Sequence, residues 1–130
     1  MNVAVVGSRS LVDYDLVEKV LMTIIKPEVD TIVSGGATGA DQLAEHFAND
    51  NLIAKIIHKP DYKQYGAGAP FIRNQLIIDD ADMLVAFWDG VSNGTRDSIK
   101  KAEKKGITVL NIKITLPTKK FKSANYWSEK

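Results

Sequence analysis

Cysteine is absent from the 130 residues, which excludes disulfides, thiolate zinc sites and thiol catalysis. The absence suits a reducing compartment. Long hydrophobic runs are missing too: no apolar stretch approaches the roughly 20 residues that a membrane-spanning helix needs. The first apolar run, Val3 to Val6, has only Met1 and Asn2 ahead of it and no basic segment, unlike a secretory leader. A cytoplasmic location is therefore expected, in a host's cytoplasm if the gene is carried by a phage. Neither sign of charge dominates, with 17 lysines and arginines against 16 acidic residues and a net charge of +1. Domains that cover nucleic acid are usually strongly basic, so neither a nucleic-acid nor a membrane partner is expected. A local basic pocket is compatible with this balance.

What the chain does have is regular alternation. The length favours one domain, and a chain of this size buries roughly two-thirds of its unfolded surface without a staple. Five short apolar runs, at residues 3–6, 31–33, 53–57, 83–87 and 107–112, read as strands. Most are continuous, as in strands covered on both faces. Helical patterns separate them. Leu16, Val17, Val20, Leu21 and Ile24 share one face of a helix expected over 13–26, capped by Asp13 and stopped by Pro27. Further helices are expected from about Thr38, over 70–80, and from about Asn93 to Gly106. Alternating β and α elements imply right-handed crossovers, hence a Rossmann-like three-layer α/β/α domain over residues 1–112 with a mainly parallel five-stranded sheet. The expected strand order is 3-2-1-4-5. Residues 113–130, with Pro117, several lysines and Tyr126-Trp127, fall outside the repeat and read as a C-terminal arm packing on the domain or a partner. Residues 59–70 have the composition of a lid or long connection.

The glycines cluster. Gly7 follows the first strand, Gly35, Gly36 and Gly39 the second, and Gly90 and Gly94 the fourth. Parallel strands place these turns at one edge of the sheet, where glycine backbones and uncapped helix N-termini suit an anion. Ser8, Ser34, Thr38, Ser92 and Thr95 add hydroxyls in the same turns. No segment reads G-x-G-x-x-G, and no glycine precedes Lys-Ser or Lys-Thr, so the standard dinucleotide and ATPase signatures are absent.

Four segments taken together, Gly7-Ser8-Arg9, Ser34 to Asp41, Tyr65 to Asn74, and Asp89 to Thr95, resemble the SLOG superfamily, and within it small DUF2493-type proteins related to YspA and YpsA. The resemblance covers about residues 2–112. It implies a Rossmann-like fold, a pocket for nucleotides or nucleotide-derived ligands such as ADP-ribose-like molecules or cyclic nucleotide signals, and pairing of two copies beside the pocket. More distant relatives are the LOG phosphoribohydrolases, which cut a nucleoside monophosphate between base and ribose phosphate, and the DNA-processing protein DprA. Against the LOG motif, Arg73-Asn74 falls on the arginine pair and Ser92-Asn93-Gly94-Thr95 on the G-x-G-T segment. The catalytic glutamate position falls on Ser98, which argues against LOG-type cleavage and leaves phosphate binding intact.

The site expected from these readings comprises Gly7, Ser8, Arg9, Ser34, Gly35, Gly36, Thr38, Gly39, Asp41, Arg73, Asn74, Trp88, Asp89, Ser92, Asn93, Gly94 and Thr95. Arg73 and Arg9 are candidate phosphate clamps, since guanidinium pairs with phosphate in a two-pronged fashion. The competing reading of Arg73 is a surface salt bridge to Asp79 or Asp80. Trp88 could stack on a base or simply edge the core. Asp41, Asp89 and Asp97 are the carboxylates available to an enzyme. His46 and His58 have no ligand spacing and read as non-catalytic. No residue cluster marks a dedicated metal site, although Mg²⁺ could arrive with a phosphate ligand. Three functions follow: a sensor or sequestering binder of a nucleotide-derived phosphate, a LOG-like nucleotide N-glycosidase, and a DprA-like binder of single-stranded DNA.

Overall fold

Parallel strands need cover on both faces, and the chain supplies it by placing a helix in each crossover. In the computed structural model, which describes residues 1–115, five strands form one parallel sheet. They are β1 (Asn2–Gly7), β2 (Thr31–Ser34), β3 (Ala54–Ile57), β4 (Met83–Trp88) and β5 (Thr108–Lys113). Their order is β3-β2-β1-β4-β5, the doubly wound order expected from the sequence. The crossovers carry α1 (Tyr14–Met22), α2 (Ala40–Asp50), the single turn α3 (Tyr62–Tyr65), α4 (Ala69–Asp80) and α5 (Asn93–Lys105), with a 3-10 turn over Gly66–Gly68.

Side-chain alternation along β1 sorts the core into two layers. Val3 and Val5 pack with Val17, Leu21, Ala44 and Phe47 beneath α1 and α2. Ala4 and Val6 face the other way, against Ile77, Ile78, Ile99 and Ala102 of α4 and α5. The central strands β1 and β4 are buried through their middles, whereas β3 and β5 are edge strands whose residues are half-buried or exposed. Continuous apolar composition thus marks burial on both faces only at the sheet centre.

Several boundaries differ from expectation. α1 stops at Met22 rather than at residue 26. The Thr23 hydroxyl donates back to the Val20 carbonyl at 2.7 Å, and the Asp30 carboxylate takes the Lys26 N–H at 2.9 Å, which redirects the chain toward β2. α2 begins two residues after Thr38 because Gly39, at φ 77°, forms its N-cap. α3 was not expected. Its signal is Asp61, whose side chain accepts the Gln64 N–H at 3.1 Å and caps the turn. β5 runs to Lys113 and Ile114 is buried in the first core layer, so the domain extends past residue 112. The rest of the expected arm, including Pro117 and Tyr126-Trp127, lies outside the described residues. Among the described residues no helix is long and apolar enough to cross a membrane.

One lysine joins the two helices of the second layer. The Lys105 ammonium donates to the carbonyls of Ile78, Asp79 and Ala81 at 2.8, 2.9 and 2.9 Å, closing the C-terminus of α4 with positive charge where the helix dipole favours it. Replacing the charge while keeping the stem, Lys105→Met, is expected to lower stability by about 1 kcal/mol in urea denaturation.

Candidate functional site

The carboxyl ends of β1 and β4 lie side by side, and the chain leaves them toward opposite faces of the sheet. Ligands of open α/β sheets collect at such a switch point. A cavity of about 400 Å³ opens there. The β1–α1 turn contributes Gly7, Ser8, Arg9 and Ser10, and the β2–α2 turn contributes Ala37 and Asp41. The start of α4 adds Pro70, Phe71, Arg73 and Asn74, while the β4–α5 turn adds Asp89 and the run Ser92 to Thr95.

Two glycines make this convergence sterically feasible. A Cβ on Gly39 would collide with the Ser8 carbonyl and the Arg9 backbone, and its φ of 77° is itself unfavourable for a side chain. Through this contact the α2 N-terminus closes on the β1–α1 turn, and the Ala40 N–H donates to the Ser8 carbonyl at 3.1 Å. A Cβ on Gly35 would lie 2.5 Å from Arg73 Nη1 and 2.8 Å from Asp41 Oδ2. The missing side chain is the space that the guanidinium occupies.

Arg73 is 7% exposed, so its charge sits inside the protein. Its Nε donates to Asn74 Oδ1 at 3.1 Å, and its Nη1 donates to the carbonyls of Gly35 and His58. Nη2 has no acceptor among the described residues. No carboxylate there pairs with Arg73. The salt bridge to Asp79 or Asp80 is not formed: Asp80 takes His58 Nε2 at 2.6 Å, and Asp79 takes Gln75 at 2.9 Å. Burial pulls the Arg73 pKa below its ordinary value. Asp41 counteracts this, while the like charge of nearby Arg9 adds to it. Arg9 also lacks an ion pair among the described residues.

The three carboxylates separate clearly. Asp97 is bound to Lys101 Nζ at 2.6 Å, accepts from Asn74 Nδ2 at 3.1 Å, and is not part of the cavity lining. Asp89 folds its own turn, accepting the N–H groups of Val91 and Ser92 at 2.9 and 2.8 Å and the Ser92 hydroxyl at 3.1 Å. Burial pushes the Asp89 pKa upward, but these donors outweigh it and hold the carboxyl below its usual range. Asp41 is 6% exposed and lines the cavity. Burial pushes its pKa up to about 6, against the opposing effects of the Ala37 N–H and Arg73.

Because Asp89 holds the Ser92 hydroxyl, Ser92 does not cap α5 with its side chain. The N–H groups of Asn93, Gly94 and Thr95 have no acceptor among the described residues, and these residues line the cavity at the positive end of the helix dipole. Asn74 ties the two walls together, its Nδ2 reaching the Gly94 carbonyl at 3.3 Å. Ser98, on which the sequence resemblance placed the LOG glutamate position, is buried and lines the same cavity.

Other expected residues stand outside the lining. Ser34 is buried and donates to the Val5 carbonyl at 2.8 Å. Gly36 and Thr38 face a second, open groove of about 310 Å³ along α2. Trp88 donates its indole N–H to the Ser92 carbonyl at 3.1 Å and carries the Arg96 guanidinium 5.4 Å above its ring. Sequence reasoning missed Ala37, Ser10, Pro70, Phe71 and Ile77, all in the lining. Phe71 had a signal, since it lies two residues before Arg73 at a helix start. Among the described residues no group of three His, Asp or Glu side chains is arranged to hold a metal ion.

An open parallel sheet in the order 3-2-1-4-5, with a cavity over its switch point, defines a Rossmann-like α/β protein. Within that class the chain belongs to the YspA, cpYpsA-related SLOG family (YAcAr), whose sequence pattern matches residues 1–65. It is 34% identical over 87 residues to the Gene 61 protein of Mycobacterium phage D29, an overlap of 62% of this chain and 70% of the phage protein. The fold resembles that of DNA processing protein A (DprA) from Streptococcus pneumoniae, with a TM-score of 0.75, 21% identity and 93% of this chain covered. The chain spans about half of DprA, 53% of its length. It also resembles the structural-genomics protein TM1055, with a TM-score of 0.62, 18% identity, and coverage of 83% of this chain and 71% of the other. At these identities the two likenesses concern the fold.

The raised Asp41 pKa has a thermodynamic sign. The folded protein binds this proton more tightly than the unfolded chain, so the stabilisation is complete below about pH 4 and is lost as pH rises through about 6. Asp41→Asn is expected to remove that loss. Relative to the parent it should gain stability on the order of 3 kcal/mol between pH 4 and pH 8, read from urea denaturation at the two pH values.

Proposed function

We propose that the protein binds a nucleotide-derived phosphate and acts as a sensor or sequestering protein for it. The observation that carries this reading is Arg73: a buried guanidinium with no ion pair and no Nη2 partner among the described residues, lining a cavity where Arg9 and the uncapped start of α5 also gather. Arg9 and Arg73 repel each other, and Asp41 offsets this without forming an ion pair with either among the described residues, so an added anion is favourable. Membership of the SLOG family supports a nucleotide-related ligand, and ADP-ribose-like molecules, nucleoside monophosphates and cyclic nucleotides are the candidates. The loops suit the phosphate with or without Mg²⁺. The phage relative suits a cytoplasmic role inside an infected host. Pairing of two copies belongs to the same reading, supported by the exposed Ile72 and Leu76 on the outer side of α4.

The test is a thermal-shift and calorimetry screen with ADP-ribose, AMP, NAD and cyclic dinucleotides. At least one is expected to stabilise the protein. Arg73→Met is expected to weaken that ligand by roughly 2–3 kcal/mol, the value of hydrogen bonds to a charged partner. Unchanged affinity in a folded Arg73→Met protein removes Arg73 from the site.

A second reading, LOG-like cleavage of the N-glycosidic bond, is favoured by one specific observation. Of the three candidate carboxylates only Asp41 combines a place in the cavity with a pKa of about 6, so it could deliver a proton to a departing base near neutral pH. In this reading a nucleotide panel incubated with the protein yields free base above a no-protein blank, and Asp41→Asn abolishes the release. Absence of free base across the panel leaves binding as the function.

A further inference from the structure

The cavity has more than an anion-binding wall. Its volume of about 400 Å³ falls in the range of sites for whole organic ligands. An inorganic phosphate on Arg73 would leave much of it unfilled. The remaining lining includes Phe71, Pro70 and Ile77. Ile77 belongs to the core beneath α4, but Phe71 belongs to neither core layer. Its ring is 44% exposed, at the N-terminal turn of α4, in the wall that also carries Arg73 two residues further on. The helix places the two side chains about 200° apart around its axis. Arg73 is therefore directed inward beneath Gly35, while Phe71 stays at the cavity mouth.

Trp88, the aromatic residue that the sequence suggested for stacking, is engaged with Arg96 and the Ser92 carbonyl and is absent from the lining. Phe71 is the one aromatic side chain among the described residues that lines the cavity. An exposed aromatic face gains nothing from water and gains substantially from a planar ring laid over it. We propose that Phe71 is the stacking platform for the nucleobase of the ligand, so that the site selects a base-bearing phosphate over a sugar phosphate or inorganic phosphate. The inference rests on the phosphate-binding reading above and assigns the other end of the same ligand. Phe71 sets specificity, and Arg73 supplies the anchor common to all three anions.

The test compares AMP, ribose 5-phosphate and inorganic phosphate by calorimetry on the full chain, with Phe71→Ala, Phe71→Trp and Arg73→Met beside the parent. Phe71 is outside the core, so its substitutions leave the fold intact, as circular dichroism checks. The parent is expected to prefer AMP over ribose 5-phosphate. Phe71→Ala is expected to lower AMP affinity roughly tenfold, as loss of one base–aromatic stack does, with ribose 5-phosphate unchanged. Phe71→Trp is expected to restore AMP affinity and to show indole fluorescence quenched by AMP but not by ribose 5-phosphate. Arg73→Met is expected to weaken every ligand that binds. Equal affinity of the parent for AMP and ribose 5-phosphate, or an unchanged AMP affinity in Phe71→Ala, overturns the stacking role while leaving the phosphate reading standing. Failure of AMP to bind the parent overturns the stacking role, whereas the phosphate reading falls only if ADP-ribose, NAD and cyclic dinucleotides fail to bind as well.

Discussion

A single buried positive charge organises the site. The Arg73 guanidinium can lie beneath the β2–α2 turn only because Gly35 has no side chain, and once there it holds three separate segments. Its Nη1 reaches the carbonyls of Gly35 and His58, and its Nε engages Asn74, which in turn grips the Gly94 carbonyl at the start of α5. Burying an ion without a direct ion pair is costly even when several of its donors are satisfied and a carboxylate stands nearby. The fold therefore tolerates a local destabilisation at the point where the β1, β2 and β4 ends converge. Protein folds retain such features mainly where function needs them.

The same logic separates the carboxylates. Asp89 is surrounded by donors and titrates low, so it shapes its turn as a permanent anion. Asp41 is buried near Arg73 but without a direct ion pair among the described residues, and it titrates near neutrality. One cavity thus holds a fixed negative charge at Asp89, two positive charges at Arg9 and Arg73, and a switchable carboxyl group at Asp41. The electrostatics of the cavity change with proton uptake at Asp41, which also accepts the Ala37 N–H of the β2–α2 turn.

Much of the fold was legible in the sequence because strand and helix periods are local properties. The 3-2-1-4-5 order followed from alternating elements, and Asp13 and Gly106 marked helix ends where they occur, whereas Pro27 stands five residues beyond the end of α1. The edge strands β3 and β5 were less legible: their apolar composition resembles that of central strands, and only the sheet order exposes them. For the candidate site, glycine placement pointed to the sheet edge at which the cavity opens. It could not identify which glycines face the cavity, because that depends on long-range contacts. Gly35 makes room for Arg73, Gly39 presses on Ser8, and Gly36 turns toward the α2 groove. Trp88 and Phe71 show the same limit. Both are aromatics near turns, and only the third dimension reveals that Arg96 occupies one ring while the other borders the cavity.

The capture of Ser92 by Asp89 has a consequence for how recognition and folding are coupled. A serine at that position would ordinarily satisfy the first turn of its own helix. Here it cannot, so α5 begins with amides already aimed and immobilised by the turn before it. Under the phosphate-binding proposal, an incoming anion would finish the helix rather than rearrange it, with little loss of conformational entropy. Occupancy in that proposal would act on the first turn of α5, where the free amides stand, and would turn an open helix start into a closed one.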